Sequence, residues 1–234
     1  MHNRNNENPH GMRHGISTRP FVWVNCAMSI DGKIAFSGGR RAMLSGPRDL
    51  IRVQKLRLAS DAIMVGVGTV ISDNPSLRVH WRMLGSRRKT SKSPIRIILD
   101  SKGRTPNGSH VLDGSVPTII ITSSACKKKF PSDVRHIAMG RGKVDLQRTL
   151  DLLGSELGLR QLMVEGGSSV ITNMLRAGLV DRMTVFMAPV VIGGHGAPPI
   201  VGGPETPNKH GLIHLRLNSV RKLDGGALLD FVRA

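Results

Sequence analysis

Tyrosine is absent from the 234 residues, and two tryptophans and five phenylalanines are the only aromatic side chains. So few stacking platforms argue against a protein built to grip single-stranded nucleic acid by its bases. Cysteine is scarcer still. Cys26 and Cys126 lie far apart and match neither a disulfide framework nor a zinc-ligand spacing, so a reducing cytoplasm is the expected compartment. No apolar run approaches the roughly 20 residues of a membrane-spanning helix. Residues 1–19, rich in Asn, His, Arg and Gly, lack the apolar centre of a secretory signal and are expected to form a disordered basic leader. One domain is expected over 20–234, a length sufficient to bury a core. Acidic residues are also few, 16 against 34 basic, a net charge of +18. That balance favours anionic partners and nonspecific attraction to nucleic acid, and is silent about fold.

Several chemistries are missing their signatures. There is no H-x-E followed by P-C-x-x-C, as a zinc deaminase needs, no G-x-S-x-G elbow and no Walker lysine. The nine histidines are scattered or sit in the leader, and no metal site is expected.

What is present is an alternation of short β-rich runs with helical patterns. Strands are expected at 21–24, 62–67, 95–99 and 118–122, and helices at 47–60 and 145–153. A strand, glycine turn and helix then run from Gln161 to Asp181. The alternation predicts an α/β fold with a largely parallel sheet. From Asp181 onward the helices stop, and runs at 182–191, 212–218 and 227–232, separated by Gly- and Pro-rich loops, should add antiparallel strands. Residues 82–93, containing Arg87-Arg88-Lys89, read as a basic surface loop. In the first helix Gly46-Pro47 suits an N-cap and N1 pair. Arg48, Arg52 and Lys55 share one face at about 100° per residue. Arg57 falls near Leu50 and Val53 on another, where its charge needs a partner: a nearby carboxylate, solvent or a bound phosphate.

Four segments following expected strands carry candidate chemistry. Ser29-Ile30-Asp31-Gly32-Lys33 is a turn between an acid and a lysine. The run from Gly66 to Leu77 offers Thr69 and Asp73 as polar ligands, although Asp73-Asn74-Pro75 equally suits a plain turn. Leu99-Asp100-Ser101 ends an apolar strand, where open α/β sheets place their ligands. Lys102 and Arg104 beyond it suit a 2′-phosphate or a solvated basic turn. The fourth is Glu165-Gly166-Gly167-Ser168-Ser169, whose glycines and helix start favour a phosphate. It departs from the G-x-G-x-x-G fingerprint, which disfavours a standard dinucleotide fold. Glu165 would repel a phosphate unless it faces a second ligand.

The order of these segments resembles the pyrimidine reductases of riboflavin biosynthesis, in particular their stand-alone type, over roughly residues 20 to 234. The resemblance rests on Met28 to Ala35, on Gly68-Thr69-Val70 with Asp73-Asn74-Pro75, on Ile98 to Ser101, and on Glu165 to Ser168 with Leu179-Val180-Asp181. It implies a dihydrofolate-reductase-like fold, a homodimer, and NADPH, with NADH possible, as cofactor. The implied reaction reduces the ribosylamino side chain of 2,5-diamino-6-ribosylamino-4(3H)-pyrimidinone 5′-phosphate, or of its deaminated counterpart, to a ribitylamino group. By the same resemblance Thr69, Asp73, Leu99, Asp100, Ser101, Gly166, Gly167, Ser168 and Ser169 bind the cofactor. It likewise implies that Lys33, Arg57, Leu77 and Glu165 bind the substrate; the side-chain nitrogen also needs a proton, for which Lys33 and a bound water are the candidates. Relatives carry Thr-Val-Arg where this chain has Arg78-Val79-His80. Positions two apart in an extended segment share a face, so Arg78 and His80 are both candidates for the substrate phosphate. Two alternatives stand beside this reading: a dihydrofolate reductase, and a basic nucleic-acid-binding protein on a degenerate reductase fold.

Overall fold

A computed structural model describes residues 19–85, 93–203 and 211–234. The leader 1–18 and most of the basic loop, including Arg87-Arg88-Lys89, lie outside the described residues. Nine strands form one sheet in the order β5-β4-β3-β2-β6-β1-β7-β9-β8. These are β1 (Phe21–Met28), β2 (Ala62–Gly66), β3 (Ile95–Leu99), β4 (Thr118–Thr122), β5 (Val134–Ala138), β6 (Gln161–Gly166), β7 (Arg182–Met187), β8 (Leu215–Leu223) and β9 (Gly226–Arg233). From β5 to β7 every pairing is parallel. Only the C-terminal hairpin, β8 and β9, runs antiparallel to its neighbours. The expected α/β architecture with antiparallel C-terminal strands is what the chain adopts.

The central strands are apolar at consecutive positions because both faces are covered. Ala62, Met64, Ile97, Leu99, Ile119 and Ile121 point into the larger core, with Leu150 and Leu153 of α3 (Leu146–Ser155) and Ile171 and Met174 of α4 (Ser168–Arg176). The alternate residues Ile63, Val65, Ile98 and Ile120 form a second core with Val70 of α2 (Val67–Asp73) and Leu77.

The remaining helix, α1 (Pro47–Ala59), is held differently. Its fully buried residues are Asp49 and Gln54, both polar. The Asp49 carboxylate accepts from Arg52 at 2.8 Å, and Arg52 also donates to Asn25 of β1. Gln54 accepts the backbone N–H of His80 at 2.9 Å. Hydrogen bonds rather than an apolar stripe therefore fix this helix.

Three expectations need correction. Residues 67–73, read as part of a loop, form the short helix α2. A strand, β5, lies at the sheet edge where none was expected. In the C-terminal part β7 stops at Met187, while β8 starts at Leu215 and continues to Leu223. Both cysteines are free, and burial pushes the Cys26 thiol up to about 12, which leaves it protonated.

Candidate active site

The four candidate segments follow β1, β2, β3 and β6. These strands are scattered along the chain yet adjacent in the sheet, in the order β3-β2-β6-β1, and parallel. Their C-terminal ends therefore open along one edge, where an open parallel sheet presents its ligand site.

The centre of that edge is an irregularity. Met64 pairs with Val164, but Val65 pairs with Gly166, so Glu165 is an extra residue without a partner on β2. Such a bulge re-aims the side chain of the residue it adds. Here Glu165 meets Arg57 of α1 in a two-pronged ion pair, Nε to Oε1 and Nη2 to Oε2 both 2.6 Å, with both side chains about nine-tenths buried. The remaining Nη1 of Arg57 donates to the carbonyl of Arg78 at 2.7 Å. Burial alone would lower the Arg57 pKa, but the Glu165 charge and its hydrogen bonds override that and raise it. Of the three partners open to Arg57 in the sequence, the carboxylate is the one it meets.

Beyond Glu165 the chain turns tightly. Gly167 has φ +85°, and a Cβ there would lie 3.3 Å from the Cα and N of Gly66. A side chain at Gly66 would in turn approach Val170 Cγ2 to 2.9 Å. The ends of β2 and β6 thus pass glycine to glycine, which keeps open the cradle in front of the α4 N-terminus. Thr69, in the first turn of α2, points its hydroxyl at the same place, 3.5 Å from where a Gly166 Cβ would stand. The orphan N–H groups of a helix start and its positive dipole end suit a phosphate, so Thr69 and Gly166 to Ser169 fit a nucleotide cofactor.

Other expected ligands have different surroundings. Asp100 is fully buried, and its carboxylate accepts from the N–H groups of Arg104 and Thr105 and from the Thr105 hydroxyl at 2.7 to 2.9 Å. It shapes the turn that leaves Lys102 and Arg104 exposed. Ser101 braces the neighbouring loops: its carbonyl accepts from Ser123 and its hydroxyl from the Val144 N–H. Leu99 belongs to the larger core. Asp73 is exposed and takes a hydrogen bond from Ser72. Leu77 is 1 % exposed with its side chain in the second core, yet has φ +47°. A non-glycine residue in that region carries strain of about 1–3 kcal/mol. Arg78 is half exposed and lies 3.8 Å from Asp113. The pKa of His80 is lowered, first by burial and then by Arg57 and Arg78, which leaves it neutral at neutral pH.

After β1, Ser29 donates to Asp31 at 2.6 Å and also accepts the Lys33 N–H. Asp31 accepts the N–H groups of Ile192 and Gly193 at 3.0 and 2.8 Å. The serine and backbone hydrogen bonds hold its carboxyl down at about 2. Lys33 forms a bridge with Pro199. The segment after β7 is therefore anchored to this candidate turn, and no role for it was read from the sequence. It continues to α4, where Thr172 accepts the Gly202 N–H at 2.9 Å. Its signal was the density of Gly193, Gly194, Gly196, Gly202 and Gly203.

Comparison with known proteins identifies what the chain is similar to. The RibD C-terminal domain family model matches residues 20–229. The chain is 36% identical over 217 residues to the 2,5-diamino-6-ribosylamino-4(3H)-pyrimidinone 5′-phosphate reductase of Methanothermobacter thermautotrophicus, covering 91% of this chain and 98% of that one. Among solved structures, it superposes on a Thermotoga maritima diaminohydroxyphosphoribosylaminopyrimidine deaminase/5-amino-6-(5-phosphoribosylamino)uracil reductase with a TM-score of 0.78 at 26% identity, over 92% of this chain. It spans only 57% of that longer protein. The riboflavin biosynthesis reductase Rib7 of Saccharomyces cerevisiae matches with a TM-score of 0.71 at 25% identity, over 93% of this chain and 91% of that one.

Proposed function

Since the chain belongs to the RibD C-terminal domain family, we propose that it is a reductase of riboflavin biosynthesis acting on 2,5-diamino-6-ribosylamino-4(3H)-pyrimidinone 5′-phosphate, the compound in its Methanothermobacter relative's name. The observation that carries this reading is the edge formed by β3-β2-β6-β1, with a phosphate cradle beside a buried acid. A nicotinamide cofactor held there by Thr69 and Gly166 to Ser169 would supply hydride to C1′ of the opened ribosylamino group. Lys102 and Arg104, exposed at the end of β3, suit the 2′-phosphate that distinguishes NADPH from NADH.

The protein's own contribution is orientation and charge. Glu165 accepts the ring's N–H donors. Arg57, its fork filled by Glu165, positions that carboxylate, and the task of holding the 5′-phosphate passes to Arg78. Arg78 is exposed and permanently charged, whereas His80 is kept neutral. Arg78→Gln is therefore expected to raise KM for the pyrimidine phosphate about 10-fold or more with kcat little changed, the loss typical of a charged hydrogen bond. His80→Gln should leave KM at pH 7 within about 2-fold. Steady-state kinetics of the two variants check this, and the reverse ranking would assign the phosphate to His80.

Lys33, fixed by the Ser29 and Asp31 turn, supplies the proton to the side-chain nitrogen as hydride arrives. Anaerobic incubation with NADPH and the pyrimidine phosphate should consume absorbance at the nicotinamide band, and dihydrofolate should not. Lys33→Met should lower kcat about 100-fold, as loss of a general acid does. No turnover by the unaltered protein with either the diamino or the deaminated pyrimidine would sink the assignment. A cytoplasmic location and a homodimer go with this reading. Sedimentation at the mass of one chain would exclude the dimer.

A further inference from the structure

Away from the reductase edge, a groove of about 420 Å³ runs between α1 and the β8-β9 hairpin. Arg48, Arg52 and Lys55 line one wall, the face those residues were expected to share, and Arg221 and Lys222 line the other. Ile51, Leu223 and Leu228 make the floor, and no carboxylate lines it. Nearby acids are committed elsewhere. Asp49 pairs with Arg52, Asp224 accepts the Asp49 N–H at the start of α1, and Asp230 pairs with Arg182. Arg48, Lys55 and Lys222 have no hydrogen bond or ion pair among the described residues. Arg52 is already compensated by Asp49, and the four other cations repel one another unless an anion enters.

We propose that this groove is a second binding site, for the phosphate backbone of a single-stranded nucleic acid. Arg48, Arg52 and Lys55 follow one another along the helix at about 1.5 Å per residue. That puts Arg48 and Lys55, which have no partner on this wall, roughly 10 Å apart, farther than one phosphate group can bridge. A row of charges spaced this way suits a chain of phosphates better than one phosphate group. The +18 net charge of the chain draws such a polymer in. With no aromatic side chain in the lining, the bases have nothing to stack on. Binding should therefore be indifferent to sequence and governed by counterion release.

The test is fluorescence anisotropy of the full chain with a labelled oligouridylate and an oligoadenylate of equal length, titrated at several salt concentrations. The two oligomers should bind alike, and log affinity should fall against log salt with a slope near −3, as about four neutralised phosphates give. Arg48→Glu with Lys222→Glu should weaken binding at least about 10-fold and flatten the slope by about 1.4. Lys127→Glu with Lys129→Glu, which makes the same change in net charge on exposed residues far along the chain, should weaken it less than about 2-fold. Reductase turnover should be unchanged in both pairs, which serves as the folding control. If charge reversal unfolds the groove pair, Lys55→Gln with Lys222→Gln replaces it under the same expectation. Equal loss in groove and control pairs, a strong preference between the oligomers, or displacement by inorganic pyrophosphate at matched phosphate concentration would each overturn the proposal.

Discussion

Glu165→Gln is expected to lower kcat/KM about 100-fold, the scale of a lost charged hydrogen bond to substrate. It should also destabilise the fold, because it removes the charge that compensates the buried Arg57. Both side chains are about nine-tenths buried, and stranding one member of such a pair costs on the order of 3 kcal/mol. A glutamine can still accept one of the two guanidinium bonds, so the fall in stability should be smaller than that ceiling. Arg57→Met with Glu165 intact should reach it. The two effects separate by measurement. Urea unfolding reads the stability loss, and kinetics at a temperature where both proteins are folded read the loss of substrate contact. If Glu165→Gln lost stability but kept kcat/KM, the acid would be purely structural and the division of this edge between two ligands would fail.

Arg96→Met is expected to be the most destabilising single change in the chain, by roughly 3–5 kcal/mol. Arg96 is fully buried on β3, and its guanidinium holds the segment 110–118 against the strand. It donates to the Thr118 hydroxyl at 2.9 Å, to the His110 carbonyl at 2.8 Å, to the Val116 carbonyl at 2.6 Å, and through both Nη atoms to Asp113 at 3.0 Å. A methionine fills the volume but leaves those carbonyls unsatisfied. The urea midpoint should fall with little change in slope. A pH dependence accompanies it. Burial acts to raise the Asp113 pKa, but hydrogen bonds from Ser115 and Arg96 and the Arg96 charge bring it down to about 2, below the roughly 3.9 of an unfolded aspartate. Its contribution to stability is therefore fully present above about pH 4 and is lost as pH falls toward 2. In Arg96→Met that acid-sensitive component should shrink, and an unaltered acid transition would show that Arg96 does not hold Asp113.

The sequence made the ligand edge legible because each candidate loop followed an apolar strand, and adjacent parallel strands align their ends. What it could not show was which side chains the fold spends on itself. Asp100, Ser101 and Leu77 sit in the motif segments as plainly as Thr69 does. Yet the Asp100 carboxylate is saturated by its own turn and Leu77 points into a core. Periodicity put Arg57 on the inner face of α1, but its partner lies 108 residues away, at a bulge that no pattern of apolar residues marks. The short helix α2 escaped notice because Val67, Gly68, Thr69, Val70 and Ile71 are weak helix formers that follow a strand directly. The edge strand β5 was hidden by its exposed Arg135 and His136, which interrupt an apolar run as edge strands often do. Arg96, inside the strand expected at 95–99, is one of its principal supports.

The place of β1 in the sheet also dictates a history. The earliest strand among the described residues lies between β6 and β7, two of the later ones. While the protein is being made, Phe21–Met28 must wait for Arg182–Met187 before both of its edges are covered. At about 5–20 residues per second that delay is roughly 10–30 s. Throughout it a strand rich in apolar residues, with unpaired N–H and C=O groups, is available to other nascent chains. Yield in the cell should thus depend on holding this one segment apart until the last third of the polypeptide has left the ribosome.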